Sequence, residues 1–358
     1  MPRARSLVPA LLAAAAGVAS AYDNTTAGYA PFVGADGEAS SGGTEHTILL
    51  DVQTPLAAQA YSLTATYDAS NWFDVFAVQA LGTRDPTGGF VNYLSQADAQ
   101  ARGLYRIQNG QVYMGVDHTN TMNTAGPGRP SVRIQSKAAF KHGLFILDLA
   151  HMPGSICGTW PAYWLVGPNW PNNGEIDIIE GVNQQARNQM TLHTRAGCNV
   201  DVGEGGQTGT LVQTNCNANS AYDGCSTTST TANTIGSAFN AAGGGVYASF
   251  WNAGSIQHWY WPASAVPNDI RQGSPVPLGW GTPMAHFHCN GCSFDDYISG
   301  NSVVFDTTFC GQWAGAVWAS GGCAGVTGRA SCVDYVANDP GAFADAYWLV
   351  NSLKVYGV

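Results

Sequence analysis

Three carboxylates stand within six residues in Glu175-Ile176-Asp177-Ile178-Ile179-Glu180, in a chain whose charged residues amount to only 11%. Acids clustered this closely can divide chemical roles, because they cannot all ionise and one keeps its proton near neutral pH. The intervening isoleucines are β-branched and apolar, so the segment reads as a strand. Alternation puts Glu175 and Asp177 on one face and sends Glu180 to the other. One extra residue at Ile178-Ile179, a β-bulge, restores the parity and returns Glu180 to its partners. The outer Cα atoms would then lie ~13 Å apart, at about 3.3 Å per residue. Glutamates leaning inward on a concave sheet could reach the ~5–5.5 Å carboxyl separation used for glycoside cleavage with retention. The alternative is a solvated acidic strand face, which like charges side by side on a sheet disfavour.

The elements that must hold these acids are strands. Residues 111–116, 131–135, 143–149, 246–251, 256–261, 302–305 and 348–356 are apolar, β-branched or aromatic runs separated by glycine-rich turns. Only Ser95 to Arg102 and a stretch near Phe343 look helical. Many strands without a βαβ rhythm indicate an all-β sandwich. No linker or repeat divides residues 61–358, which read as one catalytic domain. Residues 1–21 read as a signal peptide: Arg3 and Arg5, an apolar run from Leu7 to Val18, then Ala19-Ser20-Ala21 as cleavage site. That predicts secretion, with Tyr22 as the new N-terminus. Residues 22–60 read as an exposed N-terminal extension with a glycosylation sequon at Asn24-Thr25-Thr26. Ala58-Gln59-Ala60 repeats the A-x-A form and offers a second processing point.

Composition narrows the partner. A net charge of -10 and a pI near 5.0 disfavour nucleic acid and anionic membranes, and no later segment has the ~18 apolar residues of a membrane span. The 11 Trp and 15 Tyr exceed what a core of this size requires, which suits stacking on the faces of neutral sugar rings. Sheet packing is the competing explanation for each of them singly. Nine scattered cysteines suit an oxidising compartment, and the odd count leaves one free or paired to another molecule. Cys289-Asn290-Gly291-Cys292 reads as ordinary disulfide partners or a spare thiol rather than a redox motif.

The acidic segment, with Cys157-Gly158-Thr159-Trp160-Pro161-Ala162-Tyr163-Trp164 before it and Met190-Thr191-Leu192-His193-Thr194 after it, resembles glycoside hydrolase family 16, in particular the fungal laminarinases or endo-1,3(4)-β-glucanases. The likeness runs from about Tyr61 to the end, through Gly126-Pro127-Gly128-Arg129, Val266-Pro267-Asn268-Asp269-Ile270, Thr308-Phe309-Cys310-Gly311-Gln312-Trp313 and Cys332-Val333-Asp334-Tyr335. The resemblance implies a curved jelly-roll β-sandwich, concanavalin-like, whose concave sheet forms the cleft. It implies Glu175 as nucleophile, Glu180 as acid and base, and Asp177 as the group tuning the nucleophile. Trp164 and Trp170 become cleft walls, His193 a partner of the acids, and Arg133 and Trp280 sugar contacts. The implied partner is β-glucan. Double displacement by these acids requires no metal or organic cofactor; calcium occurs in some relatives, but no acidic loop here marks a site for it, and a monomer is expected. A transglycosylase, a β-galactan hydrolase and a silent glucan-binding lectin on the same fold are the rivals. One departure stands out: Phe250 occupies the place where related enzymes carry a cleft Glu, so a sugar hydrogen bond would be missing.

Overall fold

A computed structural model describes residues 61–221 and 223–357. The proposed signal peptide, the extension and its sequon lie outside the described residues. Two antiparallel sheets carry the fold. The first has eight strands, ordered Thr210–Gln213, Cys225–Thr228, Gln189–His193, Glu175–Glu180, Thr159–Val166, Ser302–Phe309, Arg133–Ser136, Phe76–Val78. The second has nine, centred on Gly143–His151 between Gly245–Trp251 and Tyr347–Gly357. Most of the expected strands are present, several extended by one to four residues, as in Ser302–Phe309; the run 131–135 is instead broken at Val132, with Arg129–Ser131 in a separate two-stranded ribbon and Arg133–Ser136 in the first sheet.

Strand alternation builds the core. Ile134, Tyr163, Leu165, Ile176, Val303 and Phe305 of the first sheet meet Phe145, Leu147, Leu149, Tyr247, Leu353 and Val355 of the second, all buried in one cluster. Phe305 packs on Trp72, Phe76, Tyr163 and Trp348. Several of the many aromatics therefore belong to the core, where large rings contribute most of the buried area. The Ser95–Arg102 expectation holds as Gln96–Ala101, capped by Ser95, whose side chain accepts from the Asp98 amide. Near Phe343 the helical residues are Cys332–Asn338, followed by a short turn over Pro340–Phe343.

Alternate residues on the outside of the second sheet form a separate cluster. Leu144, Ile146, Val246, Ala248 and Trp259 pack there beneath Ile270 and Trp280. This corrects two readings. Trp280 is buried edge-on against Trp259 and Trp261, and its indole N–H donates to Asp269 at 2.7 Å. Phe250 packs edge-on against Tyr61 on the same outer face. Phe250 belongs to the sheet that does not carry the acids and Trp280 packs on that sheet's outer face, so Trp280 is not beside them and Phe250 leaves no gap in the cleft. Four disulfides join Cys157–Cys323, Cys216–Cys225, Cys289–Cys292 and Cys310–Cys332, and Cys198 is the buried free thiol.

Candidate active site

The acidic strand runs mid-sheet between Thr159–Val166 and Gln189–His193. Its register slips between Asp177 and Ile179, so Ile178 is the extra residue. Glu175 stands opposite Val166, Asp177 opposite Trp164, and Glu180 opposite Ala162. All three acids thereby share the face turned away from the core, while Ile176, Ile178 and Ile179 are buried. A bulge leaves ladder groups unpaired, and here the buried Asn188 satisfies them. Its side-chain amide donates to the Ile178 carbonyl at 2.7 Å and accepts from the Glu180 amide at 2.9 Å. The Asn188 backbone N–H is in turn held by Thr234 Oγ1 at 2.9 Å.

Each acid has its own surroundings. Asp177 is 1% exposed, and the outer two are half-buried. His193 faces Glu175 across the ladder and brings Nε2 to 3.2 Å from Asp177 Oδ2, an ionic approach rather than an aligned hydrogen bond. Its Nδ1 lies 3.6 Å from Asp223. The half-exposed Trp170 stands beside Glu175, where it favours the ionised carboxyl. The Trp160 indole N–H donates to Glu180 Oε1 at 2.8 Å and meets Trp313 edge-on at 5.5 Å between ring centroids.

These surroundings set the proton affinities. Burial and the adjacent Asp177 charge hold the Glu175 carboxyl well above the usual carboxylate range, against the pull of His193. Burial and the Glu180 charge raise Asp177 to about 6, with His193 and the Glu175 hydrogen bond opposing. Burial pushes Glu180 to about 7, although the Trp160 hydrogen bond and His193 favour its ionised form. Burial works against the His193 imidazolium, yet the carboxylates of Asp177 and Asp223 beside its two ring nitrogens and the charge of Glu175 keep it protonated well above its ordinary range. A carboxylic acid poised near neutrality on the same face as a close carboxyl pair is an acid–base and nucleophile arrangement. Glu175, Asp177 and His193 also offer ligand atoms within 4.8 Å of one another. Protonated His193 places a positive charge in that space already.

Arg133 and Trp164 lie on this same face. The guanidinium sits over the Trp164 ring, 4.9 Å from its centroid, and both side chains reach Asp306. Of the candidates, Glu175, Asp177, Glu180, His193, Trp164, Trp170 and Arg133 are brought together, and Trp280 is not. Trp160, Trp313, Asp306, Asn188 and Asp223 were not anticipated. Trp160 carried a signal, since it shares strand parity with Ala162 and Trp164, and so did Asp306, a lone acid in an apolar strand. Asn188 and Asp223 come from loops whose return to the acidic strand no local pattern reveals.

Comparison with known proteins matches residues 79–356 to the model of the XgeA-like catalytic GH16 domain. A probable endo-1,3(4)-beta-glucanase of Aspergillus niger is 44% identical over 306 residues, covering 84% of this chain and 41% of that protein. The chain thus spans less than half the length of this curated relative. Among solved structures, an elongating GH family 16 beta-1,3-glucosyltransferase is 44% identical with a TM-score of 0.78, covering 83% of this chain and all of the other. Laminarinase 16A from Phanerochaete chrysosporium, holding two β-glucans (6-O-glucosyl-laminaritriose) in donor and acceptor sites, is 41% identical with a TM-score of 0.78, covering 84% of this chain and all of the other.

Proposed function

Because this chain belongs to glycoside hydrolase family 16, we propose that it is a secreted, retaining endo-β-glucanase acting on β-1,3-linked and mixed 1,3-1,4 glucan. The observation that carries the reading is the bulge at Ile178, which aims Glu180, titrating near 7, onto the face of the Glu175–Asp177 pair.

Glu175 and Asp177 stand side by side on one face and burial and mutual charge raise both, so the pair shares one proton at neutral pH. With that proton on Asp177, the Glu175 carboxylate attacks the anomeric carbon. The glycosidic C–O bond breaks as Glu180 delivers its proton to the departing oxygen, leaving a glycosyl ester on Glu175. The Glu180 carboxylate then takes a proton from water, whose oxygen attacks the anomeric carbon and releases Glu175. Trp164, Trp170 and Arg133 line the sugar-binding face. Secretion rests on the signal-like residues 1–21 and would be tested by N-terminal sequencing of exported protein: Tyr22 is expected, whereas Tyr61 would place the cut after Ala58-Gln59-Ala60.

Following the anomeric configuration of the first products from laminarin and lichenan by proton NMR tests the mechanism. An initial β-anomer supports it, an initial α-anomer removes the covalent intermediate, and inactivity on both glucans removes the substrate reading. Transfer to a sugar acceptor is the second reading, favoured by the 44% identity to an elongating β-1,3-glucosyltransferase. Products longer than the starting oligosaccharide would decide for it.

A further inference from the structure

Strand Ser302–Phe309 carries one carboxylate among apolar and hydroxyl residues. Asp306 is 6% exposed, yet it faces the cleft side of the sheet. It stands opposite Ala162 on one neighbouring strand and Arg133 on the other, so Glu180, Ala162, Asp306 and Arg133 form one row across four strands. Three donors converge on it. Tyr93 Oη–H donates to Oδ2 at 2.8 Å, Trp164 Nε1–H donates to Oδ1 at 3.1 Å, and the Arg133 guanidinium lies 3.5 Å from Oδ2. Arg133 also covers one face of the Trp164 ring. A single carboxylate therefore fixes both the edge of an indole and the cation stacked on it. Tyr93 reaches it from a separate two-stranded ribbon, Val91–Tyr93 with Arg129–Ser131.

An ion this buried costs stability unless its partners are well placed, and an apolar residue in the strand would fold the sheet as well. What an apolar residue could not do is orient Trp164 and Arg133. We propose that Asp306 is a positioning residue that holds Trp164 and Arg133 as one sugar-contacting platform beside the acids, and so sets how tightly the glucan is gripped there. This rests on the β-glucan reading above. The row geometry adds a second consequence. Only the Ala162 methyl separates Asp306 from Glu180, two strand spacings or roughly 9–10 Å away. The Asp306 charge thus helps Glu180 keep its proton, alongside Glu175 and against His193 and Trp160. Asp306 itself is faced by Arg133, Tyr93, Trp164 and Asp85.

The test is Asp306→Asn, which preserves size and an acceptor for the indole but releases the guanidinium. Misplaced binding groups can cost up to about 100-fold, so KM for laminari-oligosaccharides should rise about 10-fold or more, with kcat at the optimum changed less than about 3-fold. The basic limb of the pH profile should move to lower pH. In a Trp164→Phe background, which lacks the indole N–H, the same substitution should add much less than in the wild type. A purely structural Asp306 would lower the melting temperature and the active fraction, leaving KM and the pH limb in place and the two substitutions additive; that result overturns the inference. If Asp306→Asn does not fold, Tyr93→Phe removes only the bracing hydrogen bond, and it should raise KM in the same direction. An unchanged KM there also overturns the inference. Wild-type inactivity on laminarin would remove the substrate reading and this inference with it, whereas an active wild type with unaltered variants would sink the inference alone.

Discussion

The Trp160 indole donates to the Glu180 carboxyl, and this contact favours the ionised form of the acid. Replacing Trp160 by Phe keeps an aromatic ring against Trp313 and deletes only the donor. Glu180, near 7 in the intact site, should then hold its proton to higher pH. A hydrogen bond to a charged group is worth about 1.5–3 kcal/mol, and about 1.4 kcal/mol corresponds to one pKa unit. Part of that energy is recovered by water entering the cleft, so an upward move of about one unit is expected. The assay is the pH dependence of kcat/KM on a laminari-oligosaccharide, whose basic limb reports the essential acid of the free enzyme. The acidic limb, set by the Glu175–Asp177 pair, should stay in place. A basic limb that stays still or moves down would refute both the role of Trp160 and the assignment of Glu180 as the acid.

Asn188→Ala should strip the bulge of its clamp, leaving buried polar groups unpaired at about 1–3 kcal/mol; denaturant melts should show that loss together with a fall in kcat of about 100-fold, and unchanged turnover would mean Glu180 is aimed without it. With an aryl glycoside, azide should rescue Glu180→Ala to the β-azide and Glu175→Ala to the α-azide, against losses of about 10²–10⁴-fold for the missing acid–base group; swapped products would reverse the two assignments. His258 is fully buried with neither ring nitrogen hydrogen-bonded, and burial holds it down to about 3. The unfolded chain takes up that proton below about 6.5 and the native one does not, so stability should fall as pH drops from 6.5 towards 3, by up to about 1.4 kcal/mol per pH unit. His258→Leu should flatten that dependence in denaturant titrations at pH 7 and 4.5; an unchanged slope would show that His258 charges in place.

The fold class and the catalytic strand were legible locally because alternation and β-branching act over neighbouring residues. Ile176, Ile178 and Ile179 mark the strand, and the parity mismatch between Glu175 and Glu180 already demands a bulge. The fold confirms that slip at Ile178 and shows what holds it, Asn188, eight residues beyond Glu180 and tied through a loop. Trp280 and Phe250 show the converse. Both sit in segments that look suited to a cleft, but an apolar ring looks the same whether its strand faces sugar or a packed outer layer. Which sheet a strand joins depends on long-range pairing, here Gly245–Trp251 with Gly143–His151, and no local pattern encodes it. Asp306 lies between these cases: an acid in an apolar strand signals that a partner must exist. Only the tertiary structure, by laying Tyr93, Arg133 and Trp164 around it, decides which partners those are, because a buried charge persists only where the fold itself brings counter-groups to it.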